Sequence, residues 1–198
     1  MNQEIEIEFK NLLLEEEYNR LIKTFALHSE ARKHQTNHYF DTKDMDLKEK
    51  NSALRIREKG NEFILTLKEP HIEGLLETHQ SLSTEEVQLA LNEGLIPDGL
   101  VKKQIVKLLE KHTITFTYLG YLTTERIEKK LNDGLLVLDK STYFNVVDYE
   151  IELECSKANS GQAFFNDLLD VNKIPRRMTP NKIERFYKEK LLRESERY

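Results

Sequence analysis

Charged and apolar residues alternate without a break over Glu4-Ile5-Glu6-Ile7-Glu8-Phe9-Lys10. Period-two alternation of β-branched and aromatic residues predicts a strand. Ile5, Ile7 and Phe9 then share one face, and Glu4, Glu6, Glu8 and Lys10 share the other. The form recurs in Asp148-Tyr149-Glu150-Ile151-Glu152-Leu153-Glu154. Ser52-Ala53-Leu54-Arg55-Ile56-Arg57-Glu58-Lys59 and Phe63-Ile64-Leu65-Thr66-Leu67-Lys68 are basic counterparts. A charged strand face either looks at water or builds a site. Two acidic and two basic strands, each with an apolar opposite face, suggest one shared charged interior.

The rest of the pattern alternates strands with helices. Tyr18, Leu21, Ile22 and Phe25 recur at helical spacing and predict a helix over 14–26. His38–Thr42 ends a second strand, and 52–59 with 62–69 forms a hairpin turning at Gly60-Asn61. A strand over 74–81 follows Pro70. Ser83 with Glu86 is a capping box for a helix that Gly94 stops. Val101, Ile105, Leu108 and Leu109 mark another helix. Strands are predicted at 112–119, 122–130, 134–141 and 146–155, with a turn at Asn132-Asp133-Gly134, then helices at about 160–171 and 181–194.

Eight or nine strands with short links suggest a closed antiparallel barrel, which removes exposed edges. In an ordinary barrel the apolar faces would fill the centre. About five amphipathic helices favour the inverse, because helices outside need an apolar surface to sit on. The charged faces then line the interior. The expected class is α+β, a single domain over 1–198 with a helical insertion at about 83–111.

Composition narrows the chemistry. Of 198 residues 33% are charged, and the net charge of -5 argues against a general nucleic-acid coat. A locally basic pocket for a phosphate ligand stays open. No apolar run reaches membrane-span length, and no signal-peptide core is present. The one cysteine, Cys155, forms no internal disulfide and reads as a structural thiol in a reducing cytoplasm. The six histidines (28, 34, 38, 71, 79 and 112) have no zinc spacing. No Walker A loop, dinucleotide fingerprint or nucleophile elbow occurs, so phosphate must be held by side chains.

Glu6-Ile7-Glu8-Phe9-Lys10 resembles the ExExK signature of the CYTH, or triphosphate tunnel metalloenzyme, superfamily. Leu54-Arg55-Ile56-Arg57, Lys68, Glu77, Arg126, Asp139 and Glu150-Ile151-Glu152 fall in that family's order over nearly the whole chain. The likeness is to small bacterial single-domain members that carry an adenylate cyclase label. It implies an eight-stranded antiparallel tunnel and a metal-dependent triphosphatase.

The resemblance also implies roles. Arg55, Arg57, Lys68 and Arg126 would stabilise charge on the phosphates, with Lys182 and Arg185 closing the ring. Arg offers planar forks to phosphate oxygens and Lys a compact charge. Glu77 joins this substrate set by family position. Glu6, Glu8, Asp139, Glu150 and Glu152 would hold Mg²⁺ or Mn²⁺, hard cations that prefer oxygen ligands. Glu154 continues the metal-binding face of the second acidic strand and Glu4 that of the first; both rank below that set. Lys10 would contact phosphate or orient a metal ligand. Without metal, such a cluster should raise some carboxyl pKa values.

Inorganic tripolyphosphate is the expected substrate, with neither nucleic acid nor membrane as partner. Two family alternatives are adenylate cyclase and thiamine triphosphatase. Some cyclase members carry His-Phe upstream of ExExK, whereas only Met1-Asn2-Gln3 precedes Glu4. The alternative outside enzymes is a polyphosphate- or nucleotide-binding module, for which the carboxylates would be superfluous.

Overall fold

The computed structural model describes residues 2–196; Met1, named above before the acidic strand, lies outside them. Its strands are β1 (Gln3–Leu13), β2 (Lys33–Thr42), β3 (Ala53–Lys59), β4 (Glu62–His71), β5 (Gly74–Leu82), β6 (Phe116–Leu131), β7 (Gly134–Tyr143) and β8 (Val146–Cys155). They close into a barrel in the order β1-β5-β4-β3-β2-β6-β7-β8. The helices are α1 (Glu15–Thr24), α2 (Asp46–Glu49), α3 (Thr84–Glu93), α4 (Leu100–Leu109), α5 (Ala158–Val171) and α6 (Lys182–Ser195). None is long and apolar enough to cross a membrane.

Two sequence expectations change. The strands expected at 112–119 and 122–130 are one strand, β6, that begins only at Phe116. Gly120 takes a φ of 130°, which glycine holds without strain, so the strand runs through it. The four-residue helix α2 has no hydrophobic period to announce it. Buried Asp41 builds it by accepting from the backbone N–H groups of Leu47 (2.9 Å) and Lys48 (3.0 Å). Burial raises the Asp41 carboxyl pKa although these bonds pull it down.

The chain divides into two compact units. The first holds the residues up to Ile5 together with Gln35–Leu122; the second holds Glu6–His34 and the chain from Thr123 onward. Each has its own apolar core between strands and helices. In the first unit Leu54, Ile56, Leu65 and Leu67 are fully buried with Val87 and Ala90 of α3 and Val101 and Ile105 of α4. In the second, Ile127, Leu138, Ile151 and Leu153 pack with Leu21 and Ile22 of α1 and Phe165 and Leu169 of α5. Each fully buried Leu or Ile contributes about 1.5–3 kcal/mol relative to exposure.

The apolar strand faces therefore lie under helices, and the opposite, charged faces look into the barrel. One residue departs from this pattern. Ile5 is 41% exposed, whereas Phe9 on the same face reaches the α5 core, 6.2 Å from the Phe165 ring. The gain from alternation is thus concentrated toward the end of β1.

Candidate active site

In the first unit the charged face is built by strand parity. Arg55 on β3 pairs with Thr66 on β4, which pairs with His79 on β5; Lys68 pairs with Glu77. Arg57 donates from Nε to Asn37 on β2 at 3.2 Å. Leu54 and Ile56 hold the other face, so Arg55 and Arg57 share one side as expected.

Glu77 is the buried carboxylate set among these cations. Lys68 makes a short ion pair with it, and an Arg55 guanidinium nitrogen lies 3.8 Å away. Burial alone would raise the Glu77 carboxyl, but the charges of Lys68 and Arg55 win and hold it at about 2. Arg55 Nε is buried with no hydrogen-bond partner among the described residues. A buried unsatisfied donor of a charged group is rare and points to an absent acceptor. Ligand atoms of Glu4, Glu77 and His79 lie within 4.8 Å of one another. Lys68 and Arg55 already lie on Glu77, so a divalent ion there would face two cations, and we assign none.

In the second unit Arg126, Asp139 and Glu150 lie on one rung of β6, β7 and β8. Arg126 grips Asp139 through two bonds, Nε at 2.8 Å and Nη2 at 2.7 Å, and Nη2 also reaches Glu152 at 2.8 Å. From α6, Lys182 Nζ sits among Asp139 (3.0 Å), Glu150 (3.2 Å) and Glu152. Arg185 reaches Glu150 and, at 3.0 Å, Asp148. The ammonium of Lys10 pairs with Glu8 at 2.9 Å, and Glu8 faces Glu154 in the β1–β8 register.

Lys182 and Arg185 thus meet carboxylates. Asp139 and Glu152 meet Arg126 and Lys182. An ion held by either would share its oxygens with these cations. Arg126 and Lys182 have pKa values well above normal; burial lowers them, but the surrounding carboxylates, Glu152 first, raise them more.

The second unit nevertheless has carboxylate capacity to spare. Glu6, Glu8, Asp139, Glu150, Glu152 and Glu154 stand against Lys10, Arg126, Lys182 and Arg185, six anions to four cations. Oε1 of Glu150 is buried without a hydrogen-bond partner among the described residues. Burial, then the like charges of Glu6, Glu152 and Glu8, push the Glu154 carboxyl up to about 7 against the pull of Arg126. Like-charge repulsion was the expected cause; burial is the larger one. An excess of hard oxygen donors fits a divalent cation.

Sequence reasoning weighed His79 as a residue near the tunnel but favoured an ordinary polar role for it, and gave no role to Asp148. His79 has the parity of Glu77 on β5, and Asp148 that of Glu150 on β8. Strand parity was the signal available for both.

Comparison with known proteins agrees with this architecture. A CYTH domain family model matches residues 4–187. A Bacillus subtilis (strain 168) protein named "Putative triphosphatase YjbK" is 47% identical over 190 residues, covering 96% of this chain and 98% of that protein. The crystal structure of a Bacillus halodurans protein described as a "putative adenylate cyclase" is 42% identical. It superposes with a TM-score of 0.88 over 94% of this chain and 100% of that one. HpAC1 from Hippeastrum, 24% identical with a TM-score of 0.70 over 93% of this chain and 96% of its own, shares the fold. With its family match spanning nearly the whole chain and these relatives alongside, this protein belongs to the CYTH domain family.

Proposed function

We propose that this protein hydrolyses a triphosphate with the help of a divalent cation, and that inorganic tripolyphosphate is its substrate. The observation that carries the reading is the buried Nε of Arg55, without a hydrogen-bond partner among the described residues, on a face that also holds Arg57 and Lys68. That donor set suits a small, dense polyanion. The relative named as a triphosphatase supports the reaction class.

Arg55, Arg57 and Lys68 bind phosphate oxygens and hold the substrate's charge in place. Glu77 keeps Lys68 and Arg55 fixed in position. Arg126 and Lys10 add charge beside the carboxylates, and Lys182 and Arg185 anchor α6 to them. Glu6, Glu8, Glu150, Glu152 and Glu154, with Asp139, supply the oxygens for Mg²⁺ or Mn²⁺. When bound, the cation polarises phosphoryl oxygens and offsets the mutual repulsion of the carboxylates. Water is the acceptor, so the products are pyrophosphate and orthophosphate.

Phosphate release from tripolyphosphate, ATP, thiamine triphosphate and pyrophosphate, at matched free Mg²⁺ and then Mn²⁺, tests this. Each charge-assisted bond is worth roughly 1.5–3 kcal/mol, so a substrate short of one contact loses at least about tenfold. Tripolyphosphate should lead ATP by that margin, and pyrophosphate should be poor. Preference for ATP with cyclic AMP as product overturns the proposal.

A further inference from the structure

Arg55 and Arg57 share one face of β3, yet the neighbouring strands treat their guanidinium groups differently. On β2, Asn37 stands opposite Arg57 in the register and Tyr39 stands opposite Arg55. Asn37 is only 1% exposed, and its side-chain oxygen accepts the Arg57 Nε–H at 3.2 Å. Arg55 Nε is buried too, but it has no acceptor among the described residues. Thr66, opposite Arg55 on β4, directs its Oγ1 to His79 Nδ1 at 3.0 Å. Nη2 of Arg55 lies 3.8 Å from Glu77, an ion pair too long for a hydrogen bond.

A guanidinium presents two kinds of fork. One is its side edge, Nε with Nη2; the other is its end, Nη1 with Nη2. The second unit uses both on carboxylates. Arg126 grips Asp139 by the side edge, at 2.8 Å from Nε and 2.7 Å from Nη2. Arg177 grips Glu17 by the end, at 2.7 and 2.9 Å. An arginine whose Nε is spent on a neighbour has lost the side fork. One whose buried Nε lacks an acceptor keeps it, and leaving that donor unmet is costly.

We propose that Asn37 is a positioning residue that makes the two arginines read the polyphosphate by different edges. Arg55 takes two oxygens of one phosphoryl group side-on, through Nε and Nη2. Arg57, held at Nε by the Asn37 amide, meets the polyanion end-on through its terminal nitrogens. A lysine at either position would supply the charge without the fork. The inference rests on the triphosphatase reading and adds to it the residue that orients one arginine and the nitrogen through which the other binds. An amide suits position 37, because its oxygen accepts from Nε without placing negative charge where a polyanion must approach.

Proton–nitrogen-15 spectra of the arginine Nε–H groups, recorded on the full chain without divalent metal, test this. Arg55→Lys and Arg57→Lys assign the two signals. Saturating tripolyphosphate should move the Arg55 Nε proton downfield, as a new acceptor closes on it, and leave the Arg57 Nε proton near its starting position. An Arg55 signal that stays put at saturation, or an Arg57 signal that moves as far, overturns the inference. Calorimetric titration with tripolyphosphate then tests Asn37 by a double-mutant cycle. Asn37→Ala should weaken binding by about tenfold, the size of one hydrogen bond to a charged group. In the Arg57→Lys background, where there is no Nε–H to hold, the same substitution should change little. Equal losses in the two backgrounds would make Asn37 a merely structural residue and overturn its positioning role. Should Asn37→Ala not fold, the Nε–H shifts of the unaltered chain still decide between the edges. Tripolyphosphate that binds with the expected shifts but is not hydrolysed when Mg²⁺ is added sinks the triphosphatase reading and leaves the two-edge binding standing; no binding at all overturns both.

Discussion

Glu77 and Glu154 are both glutamates on barrel strands, and their carboxyls move in opposite directions. Glu77 is held at about 2, where Lys68 and Arg55 overcome burial. Glu154 is pushed up to about 7 by burial and by Glu6, Glu152 and Glu8, which together outweigh Arg126. The same side chain is held down by surrounding cations in one unit, and raised by burial with added like charge in the other. A single mixed network would have neutralised both. Two separately unbalanced faces, each backed by its own apolar core, read as complementary binding surfaces for an anion and a cation.

The strongest test of this division is a pair of neutralisations. Glu8→Gln removes an acid from the negative face, and Arg55→Gln removes a cation from the positive one. Each should lower kcat/KM for tripolyphosphate by about a hundredfold, equivalent to about 2.7 kcal/mol. The losses should separate in binding. Glu8→Gln should weaken Mn²⁺ affinity, followed by electron paramagnetic resonance, and leave metal-free tripolyphosphate binding intact. Arg55→Gln should do the reverse. Equal damage to both affinities by either variant would dissolve the contrast between the faces.

Comparable in size is the stability that Glu77 contributes. A folded pKa of about 2 against the usual 4.5 corresponds to about 3 kcal/mol. The shift is downward, so this contribution is present above pH 4.5 and is lost as pH falls through about 2. Glu77→Gln leaves Lys68 beside a neutral amide. Urea unfolding should therefore show a wild-type advantage of that order at pH 6 that narrows steadily from pH 4.5 downward. A gap that stays constant over that range would show that charge pairing is not what Glu77 provides.

Much of this was legible in the sequence, for a physical reason. Period-two alternation fixes which face a strand residue occupies, so Arg55 with Arg57, and Glu150 with Glu152, were assigned together before any contact was known. The helices had caps and apolar stripes of their own; the Ser83–Glu86 capping box forms as expected, with Ser83 Oγ accepting from the Glu86 N–H at 3.2 Å. What parity does not carry is how charge is shared once side chains meet. Lys182 could be placed on a helix, but its seat among Asp139, Glu150 and Glu152 depends on where α6 begins, which no pattern encodes. Strand continuity through Gly120 and the Asp41-built turn of α2 were hidden likewise, because each rests on backbone geometry or a single side chain.

The smallest effect concerns what sets the start of α6, and with it the cations supplied to the acidic unit. The segment before the helix is stitched to β1. Asn11 donates to Pro175 O at 3.2 Å, and its Oδ1 accepts from the Arg177 N–H at 2.7 Å. Thr179 Oγ1 accepts from the Leu12 N–H at 2.9 Å. Arg177 also forks onto Glu17 at 2.7 and 2.9 Å. Thr179→Val keeps the side-chain shape and leaves the Leu12 N–H without its acceptor. The expected cost is about 1 kcal/mol, or roughly 2–4 °C in Tm for a chain of this length. Because Lys182 follows closely, a looser strap should weaken its hold on the carboxylates. Mn²⁺ should then bind Thr179→Val about twofold tighter, about 0.4 kcal/mol, while metal-free tripolyphosphate binding stays unchanged. A lower Tm with unaltered Mn²⁺ affinity would make the strap a stabiliser only, and would break the link between α6 and the charge balance of the acidic face.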